Sequence, residues 1–302
     1  MGGSGGSFYR NPKKLTEEVN ESREIFFKNS LESEVSNLLS SILANANNRD
    51  AEAINLHIKE ITRALEKNIE GSVNTLFGGS VAKHTFVDGL SDIDALLIIN
   101  DSELINKSPV EVKDYIAQRL RERYPQTEIK EGHLAITVKF NDYEIQIIPA
   151  VKRINKIRIP APSGDEWSDD INPQSFTKAL TDINSKLNNK VIPVIKLAKS
   201  IIYSYPEQKR LSGYHIEALA VNIFKNYTDT PTTVKMLKHF FIESHKCIRQ
   251  PMKDLTGQSS HIDDYLKGEN SLERELRADA LRNTFRKMLI STTLEQWKQF
   301  FE

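Results

Sequence analysis

The sequence predicts an α+β protein with two lobes, the first carrying the strands and the second helical. Short apolar or alternating runs bounded by turn residues occur in the first half, at residues 73–77, 95–99, 134–140 and 143–148. Beyond residue 173 the chain consists of longer helical patterns separated by prolines. Strands followed by helices are typical of α+β folds, and a cleft between two such lobes commonly holds a ligand site.

Two helices are predicted between residues 26 and 71. Apolar residues recur there at helical spacing, first Leu31, Val35, Leu38, Leu39 and Ile42 and then Ile54, Ile58, Ile61, Leu65 and Ile69. The Asn-rich stretch 45–50 separates the two series, and Asp50 is a suitable N-cap for the second helix. Gly71 then ends that helix, and the first strand follows directly.

A third helix, at residues 109–124, follows the strand at 95–99. The next two strands are separated by Asn141 and Asp142, which predicts a hairpin. The loop 163–173 leads into the helical half, whose segments are bounded by prolines at positions 173, 193, 206 and 231.

These elements divide the chain into three parts. Residues 1–19 contain the run MGGSGGS and are predicted to be a linker or tag with a flexible N-terminus. Residues 20–160 form the core with its N-terminal helices, and residues 161–302 form the helical lobe.

Composition excludes several classes of function. Lys and Arg total 41 and Asp and Glu total 41, a net charge of zero, whereas strong DNA-binding proteins usually carry a basic excess. The single cysteine, Cys247, excludes an internal disulfide framework and suits a reducing cytosol. Apolar runs are too short to span a bilayer. We therefore expect a cytoplasmic protein without membrane or strong DNA partners.

The most informative stretch is 76–100, which reads LFGGSVAKHTFVDGLSDIDALLIIN. Asp92 and Asp94 are two residues apart and so share one face of a strand, where they repel each other unless a cation lies between them. Paired carboxylates suit Mg²⁺, with Mn²⁺ as an alternative ion. Gly79 and Ser80 form a turn whose N–H and hydroxyl groups suit a phosphate. Alone, either motif is as often an ordinary loop, but their order indicates metal-dependent phosphoryl or nucleotidyl transfer.

Gly79-Ser80 followed by Asp92-Ile93-Asp94 resembles the signature of the polymerase-β-like nucleotidyltransferase superfamily. The segments YEIQIIPAV, VIPVIKLAKSI and LSGYHIEALAVNIF resemble the CD-NTases, bacterial relatives of cyclic GMP-AMP synthase and oligoadenylate synthase found in anti-phage signalling operons. The resemblance implies a polymerase-β-like nucleotidyltransferase core, a mixed sheet with flanking helices, plus a C-terminal helical lobe. The active site is then expected in the cleft between them.

The resemblance places a third metal-binding carboxylate on the strand that reads IQIIPA, where this chain has Gln146. An amide oxygen is a weaker Mg²⁺ ligand than a carboxylate. Three explanations stay open: Gln146 is an introduced replacement for a glutamate, Glu144 reaches the metal with the help of a bulge, or the protein is a natural variant with weak or no catalysis.

The resemblance also assigns substrate contacts in the helical half. Lys196 and Lys199 are three residues apart on one helix. They would hold the donor triphosphate, or they would mark the solvent-facing side of that helix. Family members commonly carry a serine directly before the tyrosine that corresponds to Tyr214, where this chain has Gly213. Ser212, one residue earlier, is the candidate phosphate contact. Tyr214 would stack on a base or serve as an ordinary core or surface aromatic.

The function expected from the resemblance is a nucleotidyltransferase that joins nucleoside triphosphates, ATP or dATP favoured, into a cyclic or linear oligonucleotide signal. It would act in a CBASS or Hailong defence system, together with an effector protein from the same operon. Two other classes remain as alternatives. One is a nucleotidyltransferase-fold module that binds nucleotide or a partner without turnover, and the other is a toxin that modifies tRNA or protein.

Overall fold

The computed structural model describes residues 12–46, 51–66, 72–76, 93–100, 103–140, 144–153, 156–161, 163–255 and 261–302. The helices are α1 (Pro12–Ala46), α2 (Ala51–Glu66), α3 (Pro109–Arg123), α4 (Pro173–Lys186), α5 (Val191–Tyr203), α6 (Gly213–Phe224), α7 (Thr233–Cys247), α8 (Leu272–Ile290) and α9 (Leu294–Lys298). The strands are β1 (Ser72–Leu76), β2 (Ile93–Asn100), β3 (Glu128–Glu131), β4 (Ile136–Lys139), β5 (Glu144–Arg153) and β6 (Lys156–Arg158).

The strands form one mixed sheet in the order β1-β2-β5-β4-β3, and β6 pairs with the end of β5. The central pair, β2 and β5, is parallel, and the other pairs are antiparallel. Strands that are buried on both faces carry nearly continuous apolar runs. Residues 95–99 of β2 are such a run, which accounts for the position of β2 inside the sheet.

Alternate residues of the two central strands pack against different partners. The face with Ala95, Leu97 and Ile99 of β2, together with Ile145 and Ile147 of β5, packs against α2 and α3. The core of that layer includes Ile58, Ile61, Leu65, Val112, Ile116 and Leu120. The helices therefore cover one face of the sheet, as the 3.6-residue spacing of their apolar residues requires.

The opposite face is covered over part of its length. Leu96 and Ile98 of β2 and Ala150 of β5 pack there against Ile159 and Ile171, which belong to the segment after β6. That segment is held to β6 by a bridge between Ile157 and Ile171. The covered part begins at Leu96 and Ile148, the next residues on this face after Asp94 and Gln146, and extends away from them toward the ends of the two strands.

The second half of the chain forms a helical lobe around one large core. This core is built from α4 to α9, and its largest fully buried apolar side chains include Phe176, Phe224, Phe240, Phe241 and Trp297. Val35 and Leu39 of α1 belong to the same core. The N-terminal helix thus packs with the helical lobe, whereas α2 packs on the sheet.

The start of α1 corrects one expectation. The helix begins at Pro12, within the segment predicted as a linker through residue 19. Proline suits the first turn of a helix because its fixed φ matches the helix and its missing N–H would have no partner there. The glycine-rich residues 1–11 lie outside the described residues, and the domain boundary at residue 160 stays a prediction.

The fold class predicted from the sequence is confirmed: an α+β core with a mixed sheet is joined to a helical lobe. Helix α3 begins as expected, with Ser108 and Glu111 forming a capping box at its N-terminus. Two short strands, β3 and β6, were not predicted. Within the part of the chain that the structure describes, no helix is both long and apolar enough to cross a membrane.

Candidate active site

The first half of the predicted motif falls outside the described residues. Gly79, Ser80 and Asp92 belong to the stretches that the structure leaves undescribed, and their roles stay predictions. Asp94 is the second residue of β2, so its backbone position is defined. The site can therefore be built from Asp94 and from the residues that pair with it in the sheet.

Asp94 on β2 and Gln146 on β5 are Cα partners in the parallel pairing of these strands. Partners in register lie about 4.8 Å apart and occupy the same face of a sheet. The structure thus brings together Asp94, the second acid of the Asp-x-Asp motif, and the position at which the resemblance expects a third carboxylate. The face they share is the one opposite α2 and α3, beyond the part that Ile159 and Ile171 cover.

Gln146 lies between two polar positions of the sheet. It pairs with Asp94 on one side and with Thr137 of β4 on the other, and it is partly buried. Its neighbours on β5, Ile145 and Ile147, are buried against the helices on the opposite face. A polar side chain in the middle of this strand is compatible with the fold because it belongs to the less covered face.

Glu144 is two residues before Gln146 and so lies on the same face, about 6.6 Å away at the start of β5. Its carboxylate Oε1 is 3.1 Å from Lys139 Nζ, and its side chain is 46% exposed. The pairing of β5 with β2 and with β4 is continuous over the described residues, so these ladders contain no bulge. Asp92 and residues 141–143, which would flank Glu144 in these ladders, lie outside the described residues, so a bulge at Glu144 and its metal-binding role stay a prediction.

Lys199 of α5 forms a buried ion pair with Glu217 of α6. Its Nζ is 2.8 Å from Glu217 Oε1, and the two side chains are only 5% and 2% exposed. The alternative that both lysines mark a solvent face is therefore wrong for Lys199. Lys196, one turn earlier, is half-buried, and its pKa is lowered first by burial and then by the charge of Lys199.

Ser212 is the N-cap of α6. Its Oγ accepts a hydrogen bond from the His215 N–H at 3.2 Å, and its own N–H donates to the Tyr265 hydroxyl. Capping satisfies one of the first-turn N–H groups of a helix, so the serine has a structural role here. Gly213, the first residue of α6, lies next to Lys199: a methyl group at this glycine would be 3.5 Å from Lys199 Nζ.

Tyr214 packs inside the helical lobe. Its hydroxyl donates to Asp254 Oδ1 at 2.7 Å, and its ring lies 5.0 Å from that of Phe176. The side chain is only partly buried. These contacts favour the interpretation as a core aromatic, while base stacking by the rest of the ring stays a prediction.

A family comparison identifies the class of protein that has this arrangement. Residues 30–184 match the model of the Second Messenger Oligonucleotide or Dinucleotide Synthetase domain, abbreviated SMODS. The chain belongs to this family. The matched region contains β2 and β5, and hence the paired positions Asp94 and Gln146. A SMODS protein is a nucleotidyltransferase that synthesises nucleotide second messengers.

Solved structures of the same fold were determined with nucleotides. CdnC of E. coli MS115-1 with ATP superposes with a TM-score of 0.67 at 16% identity, covering 83% of this chain and 91% of that one. The CD-NTase CdnG of Bradyrhizobium diazoefficiens with GTP gives a TM-score of 0.66 at 14% identity, covering 90% and 95%. DncV of Escherichia coli, in its 3′-deoxy GTP bound form, gives 0.63 at 11% identity, covering 97% and 90%.

At these identities the likeness establishes the fold, which is that of the CD-NTases. A comparison with curated proteins finds no match. The SMODS assignment therefore depends on the family match, and the residue roles within the site are argued from this chain itself.

Sequence reasoning missed the most buried ionisable residues of the helical lobe in this SMODS protein. Besides Glu217, these are His215 of α6, Asp263 and Arg274, all with exposures of 1% or less. Arg274 Nη1 donates to Asp263 Oδ2 at 2.7 Å. Glu217 could have been found, because it is the one acidic residue within the apolar helix LSGYHIEALAVNIF and a buried carboxylate needs a cationic partner.

Burial lowers the pKa of His215 to about 4. The charge of Asp263 opposes this change, whereas the charges of Arg274 and Arg277 add to it. The Tyr265 hydroxyl lies 2.9 Å from His215 Nδ1 and also accepts the Ser212 N–H. This network therefore joins the N-terminus of α6 to the chain around residues 263–265.

A cavity of about 280 Å³ lies at the other end of β5 from Gln146. Its lining includes Val151, Trp167 and the ion-paired side chains of Lys156, Arg158 and Asp170, and none of the candidate site residues. A cavity in itself indicates no chemistry, whereas Asp94 and Gln146 lie at the positions where the sequence predicts metal ligands.

Proposed function

We propose that this SMODS protein is a Mg²⁺-dependent nucleotidyltransferase that joins nucleoside triphosphates into a cyclic or linear oligonucleotide signal for anti-phage defence. The observation that carries the proposal is the register of Asp94 with Gln146 on the less covered face of the sheet. In the reaction, the 3′-hydroxyl of one nucleotide attacks the α-phosphate of another. The bond to the β-phosphate breaks, and pyrophosphate leaves.

The chemistry of the donor set fits a hard cation. Asp94 supplies a carboxylate position and Gln146 an amide oxygen at adjacent places in the sheet, and Asp92 would add a second carboxylate. Asp92 and Asp94 would hold Mg²⁺, and the ion would, when bound, neutralise triphosphate charge and polarise the α-phosphate. Ser80 and the preceding Gly79 would steady the phosphates through N–H and hydroxyl donors.

Gln146 has a specific consequence for this reaction. An amide oxygen is a poor base and a weak ligand, so it can neither accept the proton of the attacking hydroxyl nor hold a cation as strongly as a carboxylate. We therefore expect the chain to bind nucleoside triphosphate and to turn it over slowly. Among the substrates, we favour ATP or dATP.

The cations of α5 supply the charge that the triphosphate needs. Lys196 and Lys199 lie on neighbouring turns, close enough for the charge of one to lower the pKa of the other. An anion between or beside two such ammonium groups relieves their repulsion. Lys196 is half-buried rather than buried, and it is the more accessible of the two for a direct phosphate contact.

A protein partner from the same operon completes the proposal. One neighbour of the same fold, CdnC, was solved in complex with a HORMA protein, with a TM-score of 0.65 at 17% identity. We propose that the signal made by this chain acts on an effector, and that such a partner chain binds to it or responds to its product.

A second function is favoured by Gln146 itself. A module of this fold that binds nucleotide, or a partner, without turnover would have no need of a carboxylate at position 146. The two functions predict different results for Gln146→Glu. Only a protein whose catalytic site is otherwise intact would gain nucleotidyltransferase activity from this replacement.

The test is product analysis of the purified protein. The chain and its Gln146→Glu variant are incubated with α-labelled ATP, GTP, CTP, UTP or dATP and with Mg²⁺ or Mn²⁺, and products are resolved by chromatography and mass spectrometry. We expect oligonucleotide product from Gln146→Glu, less from the unchanged chain, and none when Asp94→Asn is added. Nucleotide binding without product from any form would contradict the enzymatic proposal and favour the binding module.

A further inference from the structure

The buried ion pair between Lys199 and Glu217 is not explained by stability. Taking two charges out of water has a large desolvation cost, and apolar side chains of similar volume are often equally stabilising in such a place. Neighbouring residues of the pair on α5 and α6, among them Ile195, Ala198 and Ala220, are apolar and fully buried. A charged pair in the centre of this core therefore calls for another role.

The position of the ammonium group indicates what that role is. Lys199 Nζ would lie 3.5 Å, and Cε 3.6 Å, from a methyl group placed on Gly213, so the group rests against the first turn of α6. First-turn N–H groups have no acceptor within their own helix, and they give this end a partial positive charge. A cation placed here is repelled by the helix, and Glu217 offsets that repulsion.

A second cation, Lys196, lies one turn before Lys199 on α5. The pKa of Lys196 is lowered first by burial and then by the charge of Lys199. The Lys199 ammonium thus lies between the N-terminus of α6 and a neighbouring cation on its own helix, and Glu217 is the carboxylate that bonds to it. Such an arrangement keeps Lys199 charged inside the protein and fixes the direction of its amine.

We propose that Glu217 is a positioning residue for the donor nucleotide: it holds the Lys199 ammonium, charged and oriented, at the first turn of α6, where the triphosphate binds. This inference rests on the proposed function. An ammonium has three N–H donors, so it can hold the carboxylate and a phosphate oxygen together. Glu217 acts through Lys199 and touches no substrate atom.

The proposal makes a prediction about pH. Glu217→Gln keeps the length of the side chain and an oxygen that accepts a hydrogen bond, but it removes the charge. A buried ammonium without a counter-charge loses its proton more readily. Binding of inorganic tripolyphosphate and of ATP should therefore weaken about tenfold between pH 6.5 and pH 9 in Glu217→Gln, and it should change far less in the unchanged protein.

Two further variants separate positioning from a structural role. Lys199→Met should weaken binding of tripolyphosphate at every pH, without the added pH dependence. The double variant Lys199→Met with Glu217→Leu replaces the ion pair by apolar groups and should fold, because such replacements are tolerated in cores. It should bind as weakly as Lys199→Met alone. Recovery of binding to the level of the unchanged protein in the double variant would make the pair merely structural and overturn the proposal.

A matched control is Glu243→Gln, which removes a carboxylate from an exposed pair with Lys246 on α7. It should leave binding and its pH dependence unchanged. Calorimetry gives the dissociation constants, and circular dichroism confirms that each variant is folded. If the unchanged protein binds neither probe, both the proposed function and this assignment fail. If the unchanged protein binds the probes, and Glu217→Gln binds them at pH 9 as tightly as the unchanged protein does or more tightly, the assignment alone fails.

Discussion

Asp94 and Gln146 are direct partners across the parallel strands β2 and β5, with Thr137 on the other side of Gln146. This relationship places an amide next to an acidic position on the face of the sheet opposite α2 and α3. It also ranks the explanations for the missing third carboxylate. Position 146 pairs directly with Asp94, whereas Glu144 lies two residues earlier on β5 and is ion-paired with Lys139.

Replacing Gln146 by glutamate should raise nucleotide incorporation by at least about tenfold, because a charged ligand and base returns beside Asp94. Glu144→Gln is the matched comparison on the same strand. It should leave activity nearly unchanged and shift the free energy of unfolding by less than about 0.5 kcal/mol, because the side chain is half exposed. Labelled product formed per minute measures both. Loss of activity in Glu144→Gln would assign the metal-binding role to Glu144 instead.

Replacing Asp94 by asparagine should abolish product formation in the Gln146→Glu background, because one of the two predicted carboxylate ligands loses its charge. The fold should be retained, since the position lies at the start of β2 and the strand is held by its apolar residues. Product analysis together with a thermal melt checks the prediction. An active Asp94→Asn enzyme would disprove the assignment of the Asp-x-Asp motif.

Gly213→Ser should be tolerated. The glycine has no left-handed backbone conformation, and its added Cβ would meet Lys199 at an ordinary contact distance of 3.5 Å. Serine also has a higher helix propensity than glycine. The new hydroxyl would stand beside the Lys199 ammonium, so we expect equal or slightly higher thermal stability and tighter nucleotide binding. Weaker binding with an unchanged melting temperature would show that the first turn of α6 does not face the triphosphate.

The stability of the protein should fall as the pH falls from about 6.5 to 4. Burial holds the pKa of His215 at about 4 against its usual 6.5, so in this window the unfolded chain binds a proton that the folded chain does not. The contribution is present above pH 6.5 and amounts to roughly 3 kcal/mol lost on acidification. The groups that face His215 are Asp263, Tyr265, Arg274 and Arg277.

Denaturant unfolding at several pH values measures this dependence. His215→Gln should have a flatter profile between pH 6.5 and 4, whatever its stability at pH 7. His245 is a suitable control, because it is only partly buried near the end of α7. An unchanged slope in His215→Gln would assign the acid sensitivity to other groups.

The strands of the core were predictable because buried strands consist of apolar residues that can be recognised in the sequence. Residues 95–99 read as a continuous apolar run, and this part of β2 is buried on both faces. The two short strands left no such trace. β3 reads EIKE, and β6 reads KIR, since an edge strand keeps one side in water and carries charged residues there.

The site was predictable in part, for a different reason. Asp92, Asp94 and Gln146 stand out in the sequence as polar residues within or next to apolar runs. The register that pairs Asp94 with Gln146, however, is set by the pairing of two strands, and these two residues are 52 positions apart in the chain. Lys199 was expected to bind phosphate or to face solvent, and it is buried. Its partner Glu217 is on another helix, and helix packing between two segments cannot be read from the spacing within either one.

The packing of α1 has a consequence for how the molecule can be divided. Val35 and Leu39 lie in the core formed by α4 to α9, while the sheet is made from the chain in between. The polypeptide therefore leaves the helical lobe, builds the sheet and returns. A fragment that stops near residue 160 would leave the apolar stripe of α1 exposed to water, and a fragment that starts there would lack part of its own core. Separately expressed halves should be insoluble alone and recover structure only when produced together.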